Sequence, residues 1–165
     1  TIAAIISFKL YTILMKTDTW KEEDITQLGA RIGSCVTGGE LIELVGDVGA
    51  GKTTLTRSIA RGMGIEGPIQ SPTFTISNRY EIPNGLCLAH YDFYRLDEAG
   101  IMAEEINEVL EDETAVTVIE WAGIVDTALP VDRLIINFET IDELTRKLTI
   151  TGGGLVSEKL KADIE

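Results

Sequence analysis

Histidine is almost missing: His90 is the only one in 165 residues. That in effect rules out Ser–His–Asp hydrolysis, histidine-built metal centres and HExxH chemistry. Cysteine is nearly as scarce. Cys35 and Cys87 lie far apart in no CxxC spacing, so neither a zinc site nor a disulfide framework is readable. Basic residues are few, 14 Lys and Arg against 27 Asp and Glu, which leaves a formal net charge of -13. A surface that negative repels phosphate backbones and anionic lipid, which argues against a free-standing nucleic-acid or membrane binder. One local basic pocket stays compatible with it. With 4 Pro and no Ser/Gly-rich linker, repeat or low-complexity stretch, nothing divides the chain.

A membrane-spanning run is also lacking. Thr1 to Leu14 is mostly apolar, but too short to cross a bilayer and interrupted by Lys9. Its charge sits mid-run and no clean cleavage site follows, so it does not read as a secretory signal. Two readings remain for residues 1–14: an extension upstream of a start at Met15, or an extra edge strand or helix packed on the domain. Residues 15–165 are expected to form one domain, soluble and cytoplasmic.

What is present is a balanced globular composition, 44% hydrophobic and 25% charged, long enough for a real core. Ile25, Leu28 and Ile32 fall at helical spacing within Asp24–Cys35. Gly38-Gly39 breaks the chain before a buried strand at Leu41–Val45. Lys52 to Met63 reads as a helix stopped by Gly64. Phe74–Ile82 and Leu86–Asp92 read as strands joined at Pro83-Asn84-Gly85, a hairpin signal. An acidic helical region follows at Asp97–Glu113, then strands at Ala115–Ile119, Arg133–Glu139 and Lys147–Thr151, and a helix at Leu155–Ile164. Strands interleaved with helices predict an α/β sandwich with a mixed sheet.

The chemistry is carried by Gly46-Asp47-Val48-Gly49-Ala50-Gly51-Lys52-Thr53, a GxxxxGK[ST] P-loop between an apolar strand and a helix. Its glycines let backbone N–H groups point at phosphates, and the helix N-terminus adds a positive dipole end. Lys52 supplies a point charge to the β- and γ-phosphates, and the Thr53 hydroxyl is a Mg²⁺ ligand. Such a loop needs a further carboxylate at the end of a neighbouring strand. Asp92 and Glu120 each end one, and acids there face the crevice at the sheet's carboxyl edge. Ser71-Pro72-Thr73-Phe74 is placed to be a switch segment that senses the γ-phosphate, or an ordinary turn. His90 alternates with apolar residues and reads as a satisfied, partly buried histidine. Arg79 and Arg95 fit either a phosphate clamp or a surface ion pair.

Taken together, GDVGAGKTT, SPTF, HYDFYRLD and VIEWA, in that order and spacing, resemble the bacterial TsaE (YjeE) family from about Trp20 to Gly153. The resemblance implies a three-layer P-loop NTPase-like sandwich with a mixed, mainly parallel sheet plus a β-hairpin. It implies an ATPase, slow without partners, that works with TsaD and TsaB proteins in making threonylcarbamoyladenosine in tRNA. Its cofactors are ATP and Mg²⁺. Carried over by motif, Gly46 to Thr54 hold the phosphates, while Thr53 and Glu120 lie on the Mg²⁺. Asp92 becomes the Walker-B-like acid, Thr73 the switch threonine and Trp121 a neighbouring aromatic. Trp20 to Glu22, with Glu22 among them, become the adenine contact. The sequence departs from the family pattern mainly at its ends.

Other classes are weaker. A small-molecule kinase on this fold needs an acceptor pocket and usually an Arg-rich lid, yet the middle region is acidic. A GTPase needs an NKxD-type guanine signature, which is missing. A binding module without turnover does not need the paired acids. The net charge then predicts no tight tRNA binding by the isolated chain and tRNA contact only through partners.

Overall fold

The structure, a computed structural model, describes residues 19–98 and 100–165; the apolar run 1–14 and its two readings lie outside the described residues. Among the described residues seven strands form one sheet: β1 (Trp20–Lys21), β2 (Leu41–Val45), β3 (Ser77–Glu81), β4 (Cys87–Asp92), β5 (Ala115–Glu120), β6 (Leu134–Thr140) and β7 (Thr145–Gly152). Their spatial order is β1-β7-β6-β2-β5-β4-β3. The four central strands, β6, β2, β5 and β4, pair in parallel; β1, β7 and β3 join antiparallel at the edges. This follows from sequence: β4 and β5 are buried at every position, as a strand covered on both faces must be. β7 alternates half-buried and exposed residues, the pattern of a strand covered on one face.

Four helices cover the sheet: α1 (Glu22–Cys35), α2 (Lys52–Gly62), α3 (Met102–Leu110) and α4 (Leu155–Ile164). One face carries α1, α2 and α4 over a core that includes Ile32, Leu44, Leu55, Ile59, Val118 and Ile136. The other carries α3 and two short 3-10 turns, with Phe93, Ile106, Ile119 and Val125. The architecture is therefore the expected three-layer α/β sandwich with its β3–β4 hairpin. Among the described residues no helix is long and apolar enough to cross a membrane, and Cys35 and Cys87 are both free. The α1–α2 contact is close enough that a Cβ added at Gly33 would sit on the Ile59 carbonyl oxygen. That approach fixes the helix the P-loop opens.

Most boundaries lie within two residues of the sequence expectation, and the larger departures have physical reasons. The acidic helix is shorter than 97–113, because Gly100 takes a positive φ of 49° before it and Asp112 turns back to accept from the Thr114 amide after it. The strand expected from Phe74 begins only at Ser77, because the Thr75 and Ile76 amides bond back to the Pro72 carbonyl in a turn. Trp20–Lys21 adds a short strand on Arg146 and Thr145 that sequence did not show.

Two expected results arise here. Asp132 accepts hydrogen bonds from the Val156 amide (3.0 Å), the Ser157 amide (2.9 Å) and the Ser157 hydroxyl (2.7 Å), capping α4 from a neighbouring loop. The Ser157 hydroxyl is the main cause of a depressed Asp132 pKa. Asp132→Ala should cost about 1 kcal/mol, read as a fall of ~3 °C in Tm. Tyr91 lies buried beside Glu105, and burial, then that carboxylate, pushes its pKa from 10.0 up to about 12. The unfolded chain therefore releases this proton first. The stabilising contribution is complete below pH 10.0 and is lost as pH rises toward about 12. An absorbance titration should show a phenol that ionises late and vanishes in Tyr91→Phe.

Candidate functional site

The site lies where β2, β4 and β5 end. Strand β2 runs straight into the P-loop, whose Gly46 and Gly51 have φ of 148° and 110°. Gly46 also lies against Phe138, so a Cβ there would meet the Phe138 carbonyl oxygen at 2.8 Å. Gly51 is the residue from which α2 starts, leaving that helix's first amides free for an anion.

Lys52 is 4% exposed. Its Nζ donates to the Gly46 carbonyl (2.7 Å) and the Asp47 carbonyl (2.8 Å), and lies 4.5 Å from the centre of the Trp121 ring. Burial lowers the Lys52 pKa from 10.5, while Glu120, Asp92 and Asp47 pull it back up. Among the described residues it forms no ion pair within 4 Å, so the cation is held by dipoles rather than cancelled by a carboxylate.

The sheet register brings the two acids together. Asp92 on β4 is directly opposite Glu120 on β5, and Glu120 is opposite Leu44 on β2. Both carboxylates are almost completely buried. The Thr53 hydroxyl donates to Glu120 Oε1 at 3.4 Å, and His90 Nε2 lies 3.1 Å from the same oxygen. Asp92 faces the Ser71–Phe74 loop instead. Its Oδ2 accepts from the Thr73 hydroxyl (2.5 Å) and the Ser71 hydroxyl (3.2 Å), and its Oδ1 from the Tyr94 amide (3.0 Å).

Two clefts meet on the P-loop. The larger, about 780 Å³, is lined by Lys21, Glu22, Thr26, Gln27, Leu144 and Arg146 around Gly49–Gly51 and Thr54. The smaller, about 350 Å³, is lined by Lys52, Thr53, Ser71, Thr73, Asp92 and Glu120.

Comparison with known proteins identifies the family. The sequence model of the family described as "Threonylcarbamoyl adenosine biosynthesis protein TsaE" matches residues 19–148. The chain belongs to the TsaE family. It is 36% identical to the tRNA threonylcarbamoyladenosine biosynthesis protein TsaE of Streptomyces coelicolor, over 78% of this chain and 90% of that one. It is 33% identical to the Bacillus subtilis protein of the same name, over 85% of this chain and 87% of that one. The crystal structure of Bacillus subtilis YdiB superposes with a TM-score of 0.73 at 29% identity, covering 88% of this chain and 92% of that one.

In this TsaE-family chain the fold gathers Lys52, Thr53, Thr73, Asp92 and Glu120 around one cleft. Glu22 lines the larger cleft, but Trp20 is not among its lining residues and packs on the core instead. Trp121 stands beside the site at a φ of 61°, its ring centroid 5.0 Å from that of Tyr94 with the planes tilted by 53°. Arg79 is a surface ion-pair residue, bonded to Glu81 and Asp112. Arg95 lies 4.3 Å over the exposed Phe74 ring. His90 is fully buried and only half satisfied: its Nδ1 has no partner among the described residues.

Sequence reasoning missed Arg146. From β7 it donates to the Ala50 carbonyl (3.1 Å) and the Gly49 carbonyl (3.4 Å), bracing the P-loop from outside. No motif surrounds it; only the β1–β7–β6 edge, folded beside the loop, brings it there.

Proposed function

We propose that this chain is a Mg²⁺-dependent ATPase that supports threonylcarbamoyladenosine modification of tRNA by driving the cycle of a TsaD/TsaB-type partner complex. The observation that carries the reading is the register of β4 and β5, which sets Asp92 and Glu120 side by side over Thr53. The names of the TsaE relatives supply the pathway.

The donor set fits Mg²⁺. Thr53 and Glu120 offer hard oxygens from facing elements, and Glu120 Oε2 makes no hydrogen bond among the described residues. Mg²⁺ usually takes only one or two protein oxygens and completes its shell with phosphates and water. Held by Thr53 and Glu120, the ion would supply positive charge against that developing on the phosphates. The chain's own groups do the rest. Free amides at Gly51 and the start of α2 receive phosphate oxygens, and Lys52 turns its ammonium from the loop carbonyls toward them. Asp92 orders Thr73 and the attacking water. A γ-phosphate that competes for the Thr73 hydroxyl would loosen its bond to Asp92 and shift residues 71–76, giving a partner a surface that depends on nucleotide state. Among the described residues no free arginine points into the smaller cleft, which accords with slow turnover until a partner docks. With a net charge of -13, tRNA is held by the partners rather than by this chain. The site is read as a cytoplasmic one, where those partners and tRNA are found.

The test is reconstitution with TsaD and TsaB homologues, ATP, Mg²⁺ and tRNA. Wild type should support modification, and Lys52→Ala and Glu120→Ala should not. Full modification by both variants would sink the reading.

A further inference from the structure

His90 is a costly residue where it stands. It is fully buried in a strand whose neighbours on the same face are Leu88 and Asp92, opposite Val118 of β5. Leu88 and Val118 are apolar core, and packing alone would favour a third apolar side chain, since a buried polar group must be paired to break even. Only one of its two ring nitrogens has a partner. Nε2 lies 3.1 Å from Glu120 Oε1, while Nδ1 has none among the described residues.

We propose that His90 is the positioning residue for the Glu120 carboxylate, holding it at the angle from which its free oxygen faces the cation beside Thr53. This rests on the reading of Glu120 as a Mg²⁺-side carboxylate. A glutamate carboxyl sits on two methylenes and rotates over a broad, shallow torsion. Here Oε1 is fixed from two sides, by Thr53 Oγ1 at 3.4 Å and His90 Nε2 at 3.1 Å, which leaves Oε2 as the unengaged oxygen. A carboxylate oxygen only accepts, so Nε2 carries a proton in this contact. His90 and Asp92 leave the same face of β4 two residues apart, so one strand both orients the metal-side carboxylate and anchors the switch hydroxyls. Partners that orient a metal's ligands typically change metal affinity or activity 10–100-fold when lost.

Three variants separate positioning from packing. In His90→Gln the side-chain amide nitrogen reaches the place of Nε2; in His90→Asn it reaches only that of Nδ1; His90→Leu fills the space without a donor. Calorimetry of ADP binding, with and without MgCl₂, reads the Mg²⁺ contribution without relying on turnover. His90→Leu and His90→Asn should need about tenfold more Mg²⁺ for the same effect, with Mg²⁺-free ADP affinity unchanged. His90→Gln should stay within about threefold of wild type. Wild-type Mg²⁺ dependence in His90→Leu, or a Gln variant as impaired as Leu, would overturn the proposal. Glu120→Ala in the same assay isolates the underlying reading: if it keeps the full Mg²⁺ effect, Glu120 is no ligand. Should the variants fail to fold, the wild type still decides. As the only histidine, His90 gives one unambiguous set of ring ¹⁵N signals. The Nε2–H tautomer is expected, and an Nδ1–H tautomer overturns the contact.

Discussion

Lys52→Ala should abolish ATP hydrolysis and weaken ATP binding about a hundredfold or more, while the fold survives. The size follows from the bonds this ammonium is free to make. It holds two backbone carbonyls at 2.7 and 2.8 Å and no carboxylate, so phosphates displace neutral dipoles and need not break an ion pair. A charge-assisted hydrogen bond contributes about 1.5–3 kcal/mol, and two of them to phosphate oxygens amount to about 3 kcal/mol or more, hence the hundredfold. Removing a preorganised donor from a reacting centre typically lowers kcat by a further ~10²–10³. Lys52→Arg should not rescue it, because a planar fork does not fit a space shaped for a point charge against the Trp121 ring. Equilibrium binding of a non-hydrolysable ATP analogue and a phosphate-release assay read the two effects separately. Tight analogue binding by Lys52→Ala would contradict the assignment.

Asp92→Asn should lower hydrolysis about a hundredfold with only a few-fold change in nucleotide affinity. Asp92 bonds to Ser71, Thr73 and the Tyr94 amide and not to the P-loop. Its Oδ2 collects the hydroxyls of Thr73 and Ser71, and its Oδ1 takes the Tyr94 amide. Asparagine preserves volume and one acceptor but replaces the other with an NH₂ donor, so either the Thr73 and Ser71 hydroxyls or the Tyr94 amide lose their acceptor and the contact loosens. Residues 71–76 should then exchange their amides faster, visible by hydrogen-exchange mass spectrometry. The decisive comparison is a double-mutant cycle on kcat with Thr73→Val. If Asp92 works through Thr73, the two losses share one cause, and the double variant is about as impaired as either single one, a coupling within the usual 0.5–3 kcal/mol for contacting residues. Strict additivity would show that Asp92 acts on water alone, independently of the switch.

The parts of this site that were legible in sequence are those built from neighbouring residues. The P-loop needs eight consecutive positions, and α2, β2, β5 and α4 carry their own periodicity, so their boundaries lie within a residue or so of expectation. The switch segment was visible as a hydroxyl-rich loop, but its turn was not. Phe74 looked like a strand residue, yet the chain turns at Pro72 and leaves that ring 83% exposed under Arg95. Local propensity alone could not reveal that, because the competing term is the bond from Thr73 to Asp92, 19 residues away.

The sequence by itself determined the chemistry on offer: a GxxxxGK[ST] loop, two strand-ending acids, one histidine, and a net charge of -13. Tertiary structure alone decided which of these groups meet. The order β2-β5-β4 puts Glu120 between the P-loop strand and Asp92, and turns a histidine that looked like ordinary core into the neighbour of Glu120. The far edge, β6-β7-β1, folds Arg146 back onto the loop and builds the larger cleft beside it. Apart from the β3–β4 and β6–β7 hairpins, strand order and register come from pairing segments dozens of residues apart. Their side chains commit to a face only when the partner strand arrives, so no local pattern in the chain encodes those neighbours.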